Sequence, residues 1–338
     1  MKFVVDDKIP FIQGQAERLA DEVVYLPGAA IAPDDVRDAD ALVVRTRTLC
    51  NRQLLEGSRV RFIATATIGY DHLDTEYLDE AGIAWTNCPG CNATSVAQYV
   101  RNSLLQAERT GLIRLSEATL GVVGYGHVGR AVYEAVRPYV KEILVNDPPL
   151  AERLDRLDNL DSLESLATNC DIITLHTPLT TEGPFPTRHL VDEAFLRSLA
   201  KRPLIINAAR GGVVDEEALL RAMDDGRVRQ AIIDTWEGEP DIDRQLLSRV
   251  FIGTPHIAGY SADGKANATR MSLEALARWV KNEGLKVKDE ARGFHISLPE
   301  AETGRTGLHY NPMDDSQMLK RAPQQFETLR GNYPLRRE

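Results

Sequence analysis

Four cysteines, Cys50, Cys88, Cys91 and Cys170, are all that 338 residues contain, and they are scattered. So few sulfurs cannot staple a chain of this length, which excludes a disulfide framework and makes a reducing cytoplasm the expected setting. Long hydrophobic runs are also missing. The opening Met1-Lys2-Phe3-Val4-Val5-Asp6-Asp7 meets acids before an apolar signal region can form, so neither a secretory leader nor a membrane span is expected. An excess of positive charge is lacking too: 40 Lys and Arg against 50 Asp and Glu leave a net charge of −10. That balance offers no field for nucleic acid or an anionic membrane, and an anionic substrate must be met by a local cluster of Arg or Lys. What is present, 43% hydrophobic and 27% charged residues, suits a globular protein of two or three domains and neither a disordered nor a fibrous one.

Short β-branched runs alternate with amphipathic stretches from the start, the pattern of a parallel sheet covered by helices. Strands are expected at 3–6, 23–26, 41–45, 62–65 and 84–86. A helix over 93–109, whose face carries Val96, Tyr99, Val100, Ser103 and Leu104, bridges to a second α/β unit and ends at Gly111. That unit has more apolar strands at 119–123, 143–146, 171–175, 204–207, 231–234 and 250–253, as buried parallel strands require. Asp215, followed by Glu216 and Glu217, reads as a helix N-cap. A helix over 263–281 is expected to return to the first unit. The division is therefore 1–92 with 257–284, then 93–256, then a charged, Gly- and Pro-containing segment over 285–338. Within that segment 293–298 is a candidate strand and 323–329 a candidate helix. Its composition fits a dimer-forming appendage and a flexible tail equally well.

Gly124-Tyr125-Gly126-His127-Val128-Gly129 follows one of these strands and opens a helix. The glycines permit a tight turn, the approach of a pyrophosphate to backbone amides, and close helix–strand contact. The next strand ends in Asp147, placed where an acid reads the ribose hydroxyls and repels a 2′-phosphate, so NAD is favoured over NADP. A structural turn with an incidental Asp is the competing reading.

Three further loops follow three further strands: Asn207-Ala208-Ala209-Arg210-Gly211-Gly212, Asp234-Thr235-Trp236-Glu237-Gly238-Glu239-Pro240, and Thr254-Pro255-His256-Ile257-Ala258-Gly259-Tyr260. Ligands of open α/β sheets gather at the carboxyl ends of strands, so all three can face one crevice. Oxidation of an alcohol by NAD needs an acceptor for the hydroxyl proton, the work of an imidazole, here His256. Glu239 on its other nitrogen would fix the tautomer, and the fork of Arg210 would hold a carboxylate. Singly, each residue is better read as a core histidine, a surface acid or a structural arginine. Together, at successive strand ends, they read as a catalytic set.

Cys88-Pro89-Gly90-Cys91 lacks the second cysteine pair of a zinc site, and His72, His176 and His189 have no metal-ligand spacing, so no metal is expected. His176, at a strand end, fits a local hydrogen bond.

The motifs N-A-A-R-G-G-V-V-D-E, D-T-W-E-G-E-P and T-P-H-I-A-G, with G-Y-G-H-V-G ahead of them, resemble the D-isomer-specific 2-hydroxyacid dehydrogenases. More narrowly, V-D-D-K-I-P at the start, A-T-A-T-I-G-Y-D-H at 64–72, P-G-C-N-A at 89–93, N-D-P-P at 146–149, H-I-A-G-Y-S at 256–261 and N-Y-P-L-R-R-E at 332–338 resemble the branch acting on a 4-phosphorylated four-carbon acid. The resemblance implies two Rossmann- or flavodoxin-like doubly wound domains plus a small C-terminal dimerisation segment. It implies NAD-dependent oxidation of 4-phospho-D-erythronate on a route to pyridoxal 5′-phosphate. By position, it makes Arg210, Glu239 and His256 catalytic. Asp147, Thr177, Ala209, Asp234 and Gly259 would contact NAD beside the glycine loop, and Thr46, Thr67 and Tyr260 would contact substrate. It favours a homodimer built on 285–338, although the family pattern runs past R-R-E, so a shortened dimer module is expected. For the substrate phosphate, Arg45 at a strand end is the candidate clamp, with Arg336 or Arg337 of a partner subunit as a further one. The rival readings are a dehydrogenase of 3-phosphoglycerate or of an unphosphorylated D-2-hydroxy acid and, in another class, an NAD-sensing corepressor. The intact catalytic set argues against the corepressor.

Overall fold

The computed structural model describes residues 1–154, 160–284, 293–298, 300, 305–334 and 336–338. It divides into two compact units, Met1–Asn92 with Ala262–Glu300, and Ala93–Ser261 with Ala301–Glu338.

In the first unit the apolar runs form β1 (Lys2–Asp6), β2 (Glu22–Leu26), β3 (Ala41–Val44), β4 (Phe62–Thr65) and β5 (Ala84–Thr86). They pair in parallel in the order β2-β1-β3-β4-β5. Alternate residues feed the two faces. Phe3, Val5, Val43 and Phe62 meet Leu273, Leu276, Trp279 and Val280 of helix Ala262–Asn282, with the Trp279 ring stacked 5.4 Å from Phe62. Val4, Leu42, Val44 and Ile63 pack on Leu54, Leu55 and Leu78. Residues 293–298, a candidate strand by sequence, are irregular in the structure. Their one deeply buried hydrophobic, Phe294, anchors them in the core beneath Arg18, and a single anchor does not require ladder pairing.

The second unit contains β6 (Thr119–Val123), β7 (Glu142–Asn146), β8 (Ile172–Leu175), β9 (Leu204–Asn207), β10 (Gln230–Ile233) and β11 (Ile252–Gly253). All pairings are parallel, in the order β11-β10-β9-β8-β6-β7. Helices Ala93–Arg109 and His127–Val136 cover one face through Tyr99, Val100, Leu104, Val132 and Val136. Helices Leu163–Asn169, Glu193–Ser198, Glu216–Asp224 and Arg244–Arg249 cover the other. The direction of winding reverses between β6 and β8, which opens a crevice at their carboxyl ends. Of the C-terminal segment, helix Pro312–Arg321 and helix Phe326–Gly331, which follows a 3₁₀ turn at Pro323–Gln325, belong to this unit. Leu319 and Phe326 enter one of its cores and Tyr310 the other. Residues 257–261 also belong here, because the Asp234 carboxylate accepts from the backbone amides of Ile257 and Ala258.

Candidate active site

Because all six strands of the second sheet run parallel, their carboxyl ends share one edge. Along it stand, strand by strand, Asp147 after β7, the glycine loop after β6, Thr177 after β8, Ala209 and Arg210 after β9, Asp234 and Glu239 after β10, and His256 after β11. The row begins with the Asp147 carboxylate and ends at the His256 imidazole.

The glycine loop is close-packed where its motif demands it. A Cβ on Gly129 would sit 1.9 Å from the Gly124 carbonyl oxygen, and one on Gly124, whose φ is +88°, would sit 2.7 Å from that of His176. Gly126 and His127 are exposed at the N-terminus of helix His127–Val136, where amides of the first turn lack intrahelical partners, and Val128 is half-buried behind them. Asp147 accepts from the Tyr125 amide at 2.7 Å and the Leu150 amide at 2.9 Å, so its carboxylate is held against the loop. The hydroxyls of Thr177 and Thr235 are buried without a partner among the described residues. Unpaired hydroxyls just beyond β8 and β10 suit a polar ligand lying along the edge, which is how the residues fit a dinucleotide.

At the far end, His256 Nδ1 lies 2.9 Å from Glu239 Oε2 and 3.2 Å from Oε1. The Trp236 amide donates to Glu239 Oε1 at 2.9 Å. Glu239 is 17% exposed, yet its carboxyl lies below the ordinary value: burial pushes it up, and His256, the Trp236 amide and Arg330 together push it down further. His256 has φ +55°, a left-handed conformation uncommon for a residue with a Cβ. Asp234 holds it there. Its carbonyl accepts from the His256 amide, its Oδ1 from Ile257 N–H and the Thr254 hydroxyl, and its Oδ2 from Ala258 N–H. Burial raises the Asp234 carboxyl, opposed by these same partners.

Arg210 stands one strand over. Its Nη1 donates to the Ala209 carbonyl at 2.8 Å, and it forms no ion pair among the described residues. Asn207 shapes this turn, accepting from Ala209 N–H and donating to the carbonyls of Arg210 and Thr235. Tyr260 follows the His256 loop, with Gly259 before it, and its ring meets Tyr333 edge-on at 6.3 Å. His176 pairs with the Thr174 hydroxyl at 2.9 Å, and burial pushes its imidazole down to about 3.

Arg45, Thr46 and Thr67 belong to the first unit, just beyond β3 and β4. Arg45 donates to the Lys8 carbonyl, and Thr46 is exposed. The Thr67 hydroxyl donates to Gly69 O, so it accepts from Thr65, which in turn accepts from His72 Nε2–H. Arg336, a candidate for reaching a partner subunit, instead lies fully buried in its own chain. It donates to the Ala258 and Ser95 carbonyls and lies over the Tyr310 ring, because a guanidinium flanked by aromatic faces and carbonyls is better accommodated there than in a mobile tail.

Comparison with known proteins places this edge in context. Residues 92–258 match the model of the D-isomer specific 2-hydroxyacid dehydrogenase NAD-binding domain. An erythronate-4-phosphate dehydrogenase of Bacteroides thetaiotaomicron is 51% identical over 100% of this chain and 97% of its own length. The chain belongs to the erythronate-4-phosphate dehydrogenase family. An erythronate-4-phosphate dehydrogenase of Escherichia coli O81 is 42% identical over 100% of this chain and 87% of its own length. Among solved structures, NAD+-bound 3-phosphoglycerate dehydrogenase of Entamoeba histolytica superposes with a TM-score of 0.69 at 26% identity, over 85% of this chain and 97% of that one. The chain is thus an NAD-dependent dehydrogenase of two parallel-sheet α/β units. Sequence reading did not single out Thr235, Arg330 or the bracing work of Asp234. Thr235 carried a signal, since it sits inside a motif loop. Arg330 carried none.

Proposed function

We propose that this protein oxidises 4-phospho-D-erythronate with NAD to (R)-3-hydroxy-2-oxo-4-phosphobutanoate, a step toward pyridoxal 5′-phosphate. The observation that carries the reading is the His256–Glu239 pair, 2.9 Å apart, on the same sheet edge as the glycine loop. NAD, when bound, accepts the hydride. Asp147 would hold its ribose, the loop Gly124–Gly129 its pyrophosphate, and Thr177, Ala209, Asp234 and Gly259 the remainder. With its proton on Nδ1 facing Glu239, His256 presents Nε2 to take the substrate hydroxyl proton, and Glu239 offsets the charge that develops. The Arg210 fork holds the substrate carboxylate and polarises the adjoining C–O bond. Thr46, Thr67 and Tyr260 contact the remainder of the substrate, and Arg45 its phosphate. The full-length relatives named for this substrate support the choice of acid.

The test is NADH formation with 4-phospho-D-erythronate against 3-phosphoglycerate. Turnover of the first at least tenfold more efficient is expected, and a preference for the second would overturn the assignment. Arg45→Ala should raise KM for phosphorylated acids alone, and an equal rise for an unphosphorylated 2-hydroxy acid would remove Arg45 from the phosphate site. We also place the protein in the cytoplasm as a homodimer built on its C-terminal segment. Sedimentation should give a dimer mass, and a monomer at assay concentration would contradict this.

A further inference from the structure

Glu239 faces more than its histidine. Nη1 of Arg330, on helix Phe326–Gly331, lies 3.7 Å from Glu239 Oε2, the oxygen nearer His256 Nδ1. The guanidinium also lies over the Tyr260 ring, with its carbon 6.0 Å from the ring centre. Its side chain is 27% exposed, and its Nε is buried without a partner among the described residues. Oε1 is held by the Trp236 amide, so Oε2, between His256 and Arg330, is the oxygen that Arg330 faces.

We propose that Arg330 is a positioning residue for the catalytic pair: it holds the Glu239 carboxylate ionised and in place, and as a second cation beside it disfavours the imidazolium form of His256. The inference rests on His256 being the base. A half-buried carboxylate with one imidazole beside it is neutralised most readily by protonating that imidazole, which would keep the base occupied. With Arg330 already opposite the carboxylate, the cluster is neutral while the imidazole is neutral and ready for the substrate proton. Among the described residues, the other charged or titratable groups facing this cluster are Asp234 beneath His256, Glu216 on helix Glu216–Asp224, Tyr260 beside Arg330, and Glu327, 3.8 Å from Arg330 on its own helix. Arg330 opposes these acids. It lies outside the matched NAD-binding domain, so the C-terminal segment contributes to the chemistry in its own chain.

The test uses the full chain with histidine labelled at Cε1, the His256 resonance being identified by its loss in His256→Asn. In Arg330→Met the NMR titration midpoint of His256 should rise by about half to one pH unit, and the acid limb of kcat should move up equally. Below that limb kcat then falls about threefold to tenfold, while Arg330→Lys keeps both midpoints within about 0.2 unit of the parent. An unmoved or lowered His256 midpoint in Arg330→Met, or a Lys variant behaving like Met, would overturn the proposal. If the Met variant does not fold, Arg330→Gln is read in the same way, and failure of Lys to keep the parent midpoint decides against the proposal by itself. Because the titration needs no substrate, a shifted midpoint in a protein inert toward 4-phospho-D-erythronate would sink the substrate assignment and leave Arg330 in its role.

Discussion

At the scale of single residues, the division of labour between the two acids after β10, Asp234 and Glu239, follows from what each already bonds. Asp234 has both oxygens committed to Thr254, Ile257 and Ala258, so it shapes the loop. Glu239 directs its oxygens at one backbone amide and the His256 ring, so it is the acid that bears on the imidazole. Replacing Glu239 with Gln keeps the size and removes the charge. Its kcat should fall by about 10²-fold or more, and the acid limb of the pH profile should move to lower pH, because an imidazolium without its carboxylate loses its proton more easily. A pH–rate series on Glu239→Gln checks both, and an acid limb displaced upward would contradict the arrangement.

At the scale of elements, the glycine loop is a contact as much as a turn. Gly129→Ala places a methyl group against the Gly124 carbonyl, so loop and helix must separate. NADH affinity should fall at least about tenfold in a fluorescence titration, with far-ultraviolet circular dichroism unchanged; undiminished affinity would show that the loop does not cradle the cofactor. Most elements were legible in sequence because their signals are local. Strands β4, β6 and β9 are short, fully buried and mostly apolar runs, and Ala93–Arg109 keeps one apolar face over its length. The stretch 293–298 misled because Phe294, Ile296 and Leu298 alternate as a strand does, whereas Phe294 is a solitary plug. The nearness of His256 to Glu239 was legible because both lie in recognisable motif loops that follow neighbouring strands. Arg330 was not, since its partner is distant in sequence and nothing around Phe326–Gly331 announces a charge aimed at a carboxylate. Arg336 was misplaced for the same reason: its partners, Ala258, Ser95 and Tyr310, come together only in the fold.

At the scale of the whole molecule, the net charge of −10 has a buried counterpart in Glu216. This carboxyl is 7% exposed and accepts from the Glu237 amide at 2.7 Å. Burial, opposed by that amide and reinforced by Glu237, Asp243 and Glu239, pushes it from 4.5 up to about 7. A carboxyl raised on folding binds its proton more tightly in the folded chain, so stability falls as pH rises between these values. At about 1.4 kcal/mol per unit, the loss above pH 7 is on the order of 3 kcal/mol. Glu216→Gln keeps the acceptor for Glu237 and cannot ionise. Its melting temperature should match the parent at pH 5 and exceed it at pH 8, and a parent equally stable at both would refute the burial argument.

The claim on which the enzymatic account turns is that His256 receives the substrate proton at the end of the sheet edge that binds NAD. Parallel measurement of NADH affinity and of NADH formation from 4-phospho-D-erythronate in the parent and in His256→Asn addresses it directly. The account predicts affinity within about twofold and kcat reduced by about 10³-fold at neutral pH. Near-parental kcat in the Asn variant would contradict it.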